Sequence, residues 1–336
     1  MEHWLSSIFS VQFGYAILRV MTPLLFPTIG VAISELAGAT NIAMEGVMLV
    51  AAFFSVIVSS FTGSLWLALL AGIGAGVALG AILGYFHLKL KADIFLSAIA
   101  LNMFASGITI FLLFIFTGDK GSTSSLKSLV FPEIQIPLLK SIPVLGPILS
   151  GHNILTYAAL LASLVFYILI FKTPLGLRIR AVGQNPHAAE SVGINVGRIK
   201  LYALMLSGFF GALGGIYLSM GYVSWFSRDM TAGRGFIAIA AATLGGNMPL
   251  GTLISSLFFA LVSTIAIYIA SLNIPAELIQ IIPYLITILA LAVFAVRNQK
   301  RTRSRKAGIS GQTGNSGLTG NSGQTGEIPA AGKEKS

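Results

Sequence analysis

Residues 64–88 read SLWLALLAGIGAGVALGAILGYFHL, twenty-five positions without a lysine, arginine, aspartate or glutamate. At 1.5 Å per residue a helix of that length reaches about 37 Å, enough to cross the roughly 30 Å hydrocarbon core of a bilayer. The rest of the chain has the same character. Of its 336 residues 55% are hydrophobic and only 10% charged, and its mean hydropathy is +0.86. Soluble globular chains carry about 25% charged residues, and one soluble core of this length could not hide so much apolar surface. The fold class is therefore all-α, a polytopic bundle of transmembrane helices.

Outward from residues 64–88, eight further apolar stretches qualify as crossings, 20–36 and 234–247 being short: 20–36, 42–61, 93–116, 154–171, 199–220, 234–247, 250–271 and 276–296. A tenth stretch, 4–18, is either a surface segment or an extra crossing, and Arg19 behind it predicts an interruption there. The count is thus nine or ten. A cleaved signal peptide is not expected, because no basic region precedes residues 4–18 and no small-residue cleavage site follows. Lys89 and Lys91, the basic residues of the 172–200 loop, and the run Arg297, Lys300, Arg301, Arg303, Arg305, Lys306 mark cytoplasmic flanks by the positive-inside rule. Eight basic and two acidic residues from Arg297 onward account for +6 of the net +10. Parity then requires residues 234–271 to cross twice, turning near Gly245–Pro249, where glycine and proline end one helix and start another. The membrane-spanning body is expected over residues 1–306, and the Gly/Ser/Thr/Asn/Gln tract in 307–336 reads as a disordered cytoplasmic tail. Gly72, Gly76, Gly80 and Gly84, and likewise Ser207, Gly211, Gly215 and Ser219, recur every four residues and predict close helix packing, within the subunit or across an interface.

An enzyme has little to work with here. There is no cysteine, the four histidines are far apart, and no HExxH, GxSxG or GxxxxGK[ST] pattern occurs, so the chain is expected to bind no metal, cofactor or ATP itself. No aromatic residues interleave with the basic tail, which argues against nucleic acid as a partner. Glu35 and Glu45 are the two carboxylates in apolar sequence that lack a basic neighbour. Each would oppose insertion by about 3 kcal/mol against lipid. The stretch between them, SELAGATNIAMEG, predicts a helix break lining a substrate path, with Glu35, Asn41, Glu45, Asn102 and Asn247 as candidate lining residues. The alternatives are a tight cytoplasmic turn with Glu35 solvated, a packing hydrogen bond at Asn102, and a simple turn role for Asn247.

The 172–200 loop, KTPLGLRIRAVGQNPHAAESVGINVGRIK, has explicit local grammar. Asn185 is a favoured N-cap, Pro186 suits the first helical position, Ala188, Ala189 and Glu190 favour helix, and Gly193 can close it in the left-handed conformation. A helix of about two turns is too short to stand alone and must dock on lipid headgroups or on a partner protein.

LGLRIRAVGQNPHAAESVGINV (175–196) resembles the coupling loop of membrane subunits of ATP-binding cassette (ABC) importers in the branched-chain amino acid, simple sugar and nucleoside group. TPLLFPTIGVAISELAGATNIAMEGVMLVAAF (22–53) resembles the amino-terminal signature of its nucleoside (guanosine-type) permeases, and GRGFIAIAAATLGGNMPLGTLISSLFFA (233–260) resembles the segment that follows the coupling loop in the same group. The similarity spans residues 20–296. It implies a multi-pass subunit of a bacterial plasma membrane that carries a small polar solute, a nucleoside before a simple sugar, riboflavin or branched-chain amino acid, with an ion-coupled carrier as the remote alternative. It also implies a cytoplasmic ABC ATPase engaging Gly183, Asn185, Pro186, Ala188, Ala189, Glu190 and Gly193. The further partners implied are a second, different permease subunit, an extracytoplasmic substrate-binding lipoprotein and membrane lipid.

Overall fold

The computed structural model describes residues 11–136 and 145–270. The expected ninth segment (276–296), the first residues of the 4–18 stretch and the tail lie outside the described residues. Among those described, seven helices are long and apolar enough to cross a membrane.

They run in chain order as α1 Val11–Leu36, α2 Met44–Thr62, α3 Leu65–Leu88, α4 Ile94–Thr117, a short β1 Glu133–Ile134, α5 Leu145–Leu149, β2 His152–Asn153 and α6 Ile154–Lys172. Then come α7 Pro174–Gln184, α8 Pro186–Ser191, α9 Val196–Tyr217 with a π-helical turn Leu218–Tyr222, α10 Arg234–Leu244 and α11 Pro249–Ala270. The two strands form one antiparallel pair. Local chemistry sets most boundaries. Asp93 and Asn153 cap α4 and α6 through their side chains, and Gly63 and Gly118 end α2 and α4 in the left-handed region.

Two expectations need correction. The 4–18 and 20–36 stretches are not interrupted at Arg19: positions 11–36 are one 26-residue helix that also runs through Pro23 and Pro27. Arg19 is satisfied at the far end of the bundle, where its Nη2 donates to the Tyr222 carbonyl at 3.1 Å and its guanidinium lies 4.1 Å from the Tyr222 ring centre. The 234–247 segment is not a full span either. Its helix, α10, has 11 residues, about 16 Å and half the hydrocarbon thickness.

Helix α9 runs through the middle. Its small residues meet α1, α2 and α3 along separate stripes, so both predicted seams are used inside the subunit. Gly76 faces Ala212, whose Cβ would lie 2.6 Å from a Cβ at position 76. Gly80 abuts the Leu204 carbonyl and Gly84 the Leu201 side chain. On another face Gly211 packs on Met44, Gly215 on the Met48 carbonyl, and Ser219 hydrogen-bonds Ser55 at 3.2 Å. With Gly30 against the Ser207 carbonyl and Gly214 against Pro27, these pairings make α9 antiparallel to α1 and α3 and parallel to α2. Lipid supplies no hydrophobic drive between helices, so such backbone proximity supplies it through dispersion. A methyl inserted at the tightest points would have to displace backbone, an overpacking cost of about 1–3 kcal/mol.

Candidate functional site

The 172–200 loop folds as two helices rather than the one expected. The first, α7, uses the same grammar as the second: Thr173 caps it and Pro174 occupies its first turn. Glycine then allows it to lie flat on the bundle. A Cβ on Gly176 would overlap the Leu169 carbonyl, and one on Gly183 would overlap the carbonyl of Leu36, the last residue of α1. In α8, Asn185 Oδ1 accepts from the Ala188 N–H at 3.1 Å, and Gly193, at φ +82°, closes the helix with its N–H on the Glu190 carbonyl at 2.9 Å. Only Ala189 of α8 is buried. Asn185, His187, Ala188 and Glu190 are exposed, and the adjacent Val192 is 74% exposed. The loop is therefore anchored to α1 at Gly183 and presents α8 outward.

Between α1 and α2 the chain does break. Residues 37–43 turn back beside α9, with Gly38 at φ +68°. Asn41 is fully buried and engaged at both ends: its Nδ2 donates to Ser207 Oγ at 3.0 Å, and its Oδ1 accepts from the Ala43 N–H at 3.0 Å. Asn102 of α4 clamps the same linker from the other side, accepting from the Gly46 N–H at 2.8 Å and donating to the Ile42 carbonyl at 3.0 Å. The two amides substitute for helical hydrogen bonds that the break removes.

Glu45 answers the half-length of α10. Its Oε1 accepts from the Gly233 N–H at 2.8 Å and its Oε2 from the Gly235 N–H at 2.7 Å. Gly233 itself offers no capping side chain. A carboxylate on the first free amides of a helix also complements its dipole. A Cβ at position 235 would sit 2.5 Å from the Glu45 nitrogen, so glycine is needed there. At the other end of α10, Asn247 adopts φ +58° in the turn to α11. With its amide nitrogen facing its acceptors, it donates to Glu35 Oε2 and to the Ala242 carbonyl, each at 3.2 Å. The structure thus sorts the five candidate path residues into two groups: Asn41, Glu45 and Asn102 around the breaks, and Glu35 with Asn247 beside the 172–200 loop.

One polar group was not anticipated. The chain between the π-helical turn and α10 pairs with residues 121–123, through Arg228 N–H to the Gly121 carbonyl and Thr123 N–H to the Phe226 carbonyl. It then reaches Ser106, whose Oγ donates to Asp229 Oδ1 at 3.3 Å. Ser106 is twelve residues from Ile94 and eleven from Thr117, the middle of α4. Hence the chain passes from the outer end of α4, where Arg228 pairs with Gly121, inward, and the Asp229 side chain, ion-paired with Arg228 at 3.3 Å, reaches toward the middle of α4. Residues 223–244, irregular in their outer half and helical in the inner half, make the descent between α9 and α11. The two passages that parity demands are present, the first of them discontinuous. In sequence, Ser227–Arg228–Asp229 lies between two apolar stretches, and nothing local reports that it folds inward.

With this geometry in view, comparison with known proteins is informative. Residues 15–291 match the family model described as branched-chain amino acid transport system / permease component. The guanosine ABC transporter permease protein NupQ of Bacillus subtilis (strain 168) is 37% identical over 296 residues, 84% of this chain and 91% of that one. The nucleoside ABC transporter permease protein NupC of Lactococcus lactis subsp. cremoris (strain MG1363) is 34% identical over 284 residues, 81% and 89% of the two chains. A solved metal-chelate type ABC transporter in an inward-facing conformation shares the fold, at a TM-score of 0.50 and 18% identity over 86% of this chain and 87% of that one. The family match and the two permease relatives define a membrane permease. The chain belongs to the branched-chain amino acid transport system permease family and is a multi-pass permease subunit of an ABC importer, not an enzyme.

Proposed function

We propose that this subunit carries nucleosides inward across the bacterial plasma membrane, with α8 and the C-terminal tail on the cytoplasmic side. The observation that carries the mechanism is α8: a capped helix, open to solvent on every face but one, on a loop whose Gly183 is seated against the end of α1. The solute class is supported by the two nucleoside-type relatives. An ABC ATPase closing on ATP pushes on residues 183–195. Through Gly183 and Leu36 the push reaches the end of α1, where Glu35 holds the α10–α11 turn by Asn247, and through the 37–43 linker it reaches Glu45 and the start of α10. Bistable packing at these junctions converts the push into opening on one side and closing on the other.

ATP is bound by the partner and by no residue of this chain. A second, different permease completes the path, and an extracytoplasmic lipoprotein delivers the solute. Membrane lipid is the remaining partner. At the coupling end a groove of about 910 Å³ between α3 and α9, lined by Tyr85, Lys89, Arg198 and Leu201 among others, offers two cations to anionic headgroups.

The test is reconstitution of the subunit with its partners in proteoliposomes. Labelled guanosine should accumulate only when ATP reaches the ATPase, and an ionophore that collapses ion gradients should not stop it. Uptake driven by an ion gradient without ATP would reject the reading.

A further inference from the structure

The Arg228–Asp229 pair poses a problem that the packing of the subunit does not solve. Both side chains are well exposed, at 59% and 58%, yet Asp229 is fastened to Ser106 at the midpoint of α4. Ionised groups at that depth avoid lipid and face water or a polar partner. The descent of this stretch is not loose, since Gly233 and Gly235, four and six residues beyond Asp229, are pinned by Glu45. Irregular backbone at membrane depth occurs where it lines a water-filled cavity or is covered by protein.

We propose that Ser106, Arg228 and Asp229 form a solute-contacting site in the outer half of the permeation path, where the Asp229 carboxylate accepts hydroxyl hydrogens from a neutral, hydroxyl-bearing solute such as the ribosyl group of a nucleoside. The naming of the solute rests on the nucleoside reading; the exposure to water does not.

The chemistry follows from what the three groups have left to give. An ionised carboxylate has about four acceptor positions, and Asp229 uses one for Ser106 and one for the Arg228 Nε–H, both at 3.3 Å and thus at the loose end of the hydrogen-bond range. Either can be exchanged for a solute hydroxyl. Two adjacent hydroxyls on one ring suit two carboxylate oxygens, and the other guanidinium N–H groups can serve an acceptor on the same solute. The pair is neutral as a whole, so it offers a charged solute no net Coulombic attraction and recognises an uncharged one through hydrogen bonds.

The chain contains no cysteine, so single thiols can be introduced directly. Ser106→Cys, Asp229→Cys and, as a control, Phe104→Cys would be placed in the assembled transporter with cysteine-free partner subunits. Phe104 is 55% exposed and about 200° round α4 from Ser106. A charged, membrane-impermeant thiol reagent should label positions 106 and 229 in at least one nucleotide state of the ATPase and leave position 104 unlabelled. Guanosine should slow the labelling several-fold, and 2′,3′-dideoxyguanosine, which lacks the diol, should do so far less. In parallel, Asp229→Asn should raise the apparent KM for guanosine tenfold or more at unchanged subunit assembly. Inert thiols at both positions in a complex that does transport would overturn the proposal, and equal protection by the two nucleosides would overturn hydroxyl recognition. Failure of the nucleoside reading looks different: the wild-type complex then shows no ATP-driven guanosine uptake at all.

Discussion

Replacing Glu45 by glutamine isolates the carboxylate that starts α10. The wild-type side chain accepts two backbone N–H bonds, at 2.8 and 2.7 Å, from Gly233 and Gly235. Hydrogen bonds to a charged acceptor contribute about 1.5–3 kcal/mol each, and the favourable position at a helix N-terminus adds about 0.3–1 kcal/mol. Glutamine keeps one acceptor oxygen and turns an NH₂ toward the second amide, so one bond and the charge are lost together. The expected local cost is about 2–3 kcal/mol, which at 1.4 kcal/mol per decade corresponds to roughly 30- to 150-fold. Hydrogen–deuterium exchange on the detergent-solubilised complex reads this directly. Amides at the start of α10 should exchange faster by about that factor, while those of α9 stay unchanged. Because the proposed push from the 172–200 loop reaches the start of α10 through the 37–43 linker and Glu45, uptake per ATP hydrolysed should fall. Unaltered exchange at residues 233–236 in the glutamine variant would refute the claim that Glu45 holds the half-helix.

Three further outcomes are expected. Gly183→Val forces a side chain into the Leu36 carbonyl and should leave ATP hydrolysis intact while reducing guanosine uptake at least tenfold, measured in the same vesicles. Asn185→Ala removes the cap on α8, worth about 1 kcal/mol, and should weaken ATPase association several-fold in a pull-down titration with no change in membrane insertion. Burial holds the His152 imidazole below its usual range, so the unfolded chain takes up the proton first. Stability should therefore fall as pH drops below about 6.5. A lower Tm at pH 5.5 than at pH 7.5, with a smaller drop in His152→Phe, checks it.

What could be read from the sequence was local. The Asn185–Pro186 start and Gly193 stop of α8 depend on neighbouring side chains and backbone conformation alone, and they stand where the grammar puts them. The four-residue glycine spacing in α3 likewise states that something packs closely there, though not that the something is α9 of the same subunit. The turn at 245–249 was legible because glycine and proline act on their own backbone. By contrast, Arg19 looked like an interruption because the group that satisfies it, Tyr222, is 203 residues away. The short length of 234–247 was legible by itself; the way its helix starts was hidden for the same reason as Arg19, since the carboxylate that caps α10 belongs to α2. Asn41 and Asn102 stood out as polar residues in apolar sequence, but only the fold reveals that both brace one linker. Arg228 and Asp229 did not stand out at all, because a charged pair between two apolar segments looks like any exterior loop until its contact with Ser106 gives its depth.

The central claim is that α8 is gripped by an ATP-driven partner. A photo-reactive residue placed at position 192, where Val192 is 74% exposed, tests it most directly in the assembled transporter in its native membrane. The account predicts a crosslink to the nucleotide-binding subunit whose yield changes on adding ATP. Crosslinks to phospholipid alone, in a complex proven by co-purification to contain that subunit, would contradict it.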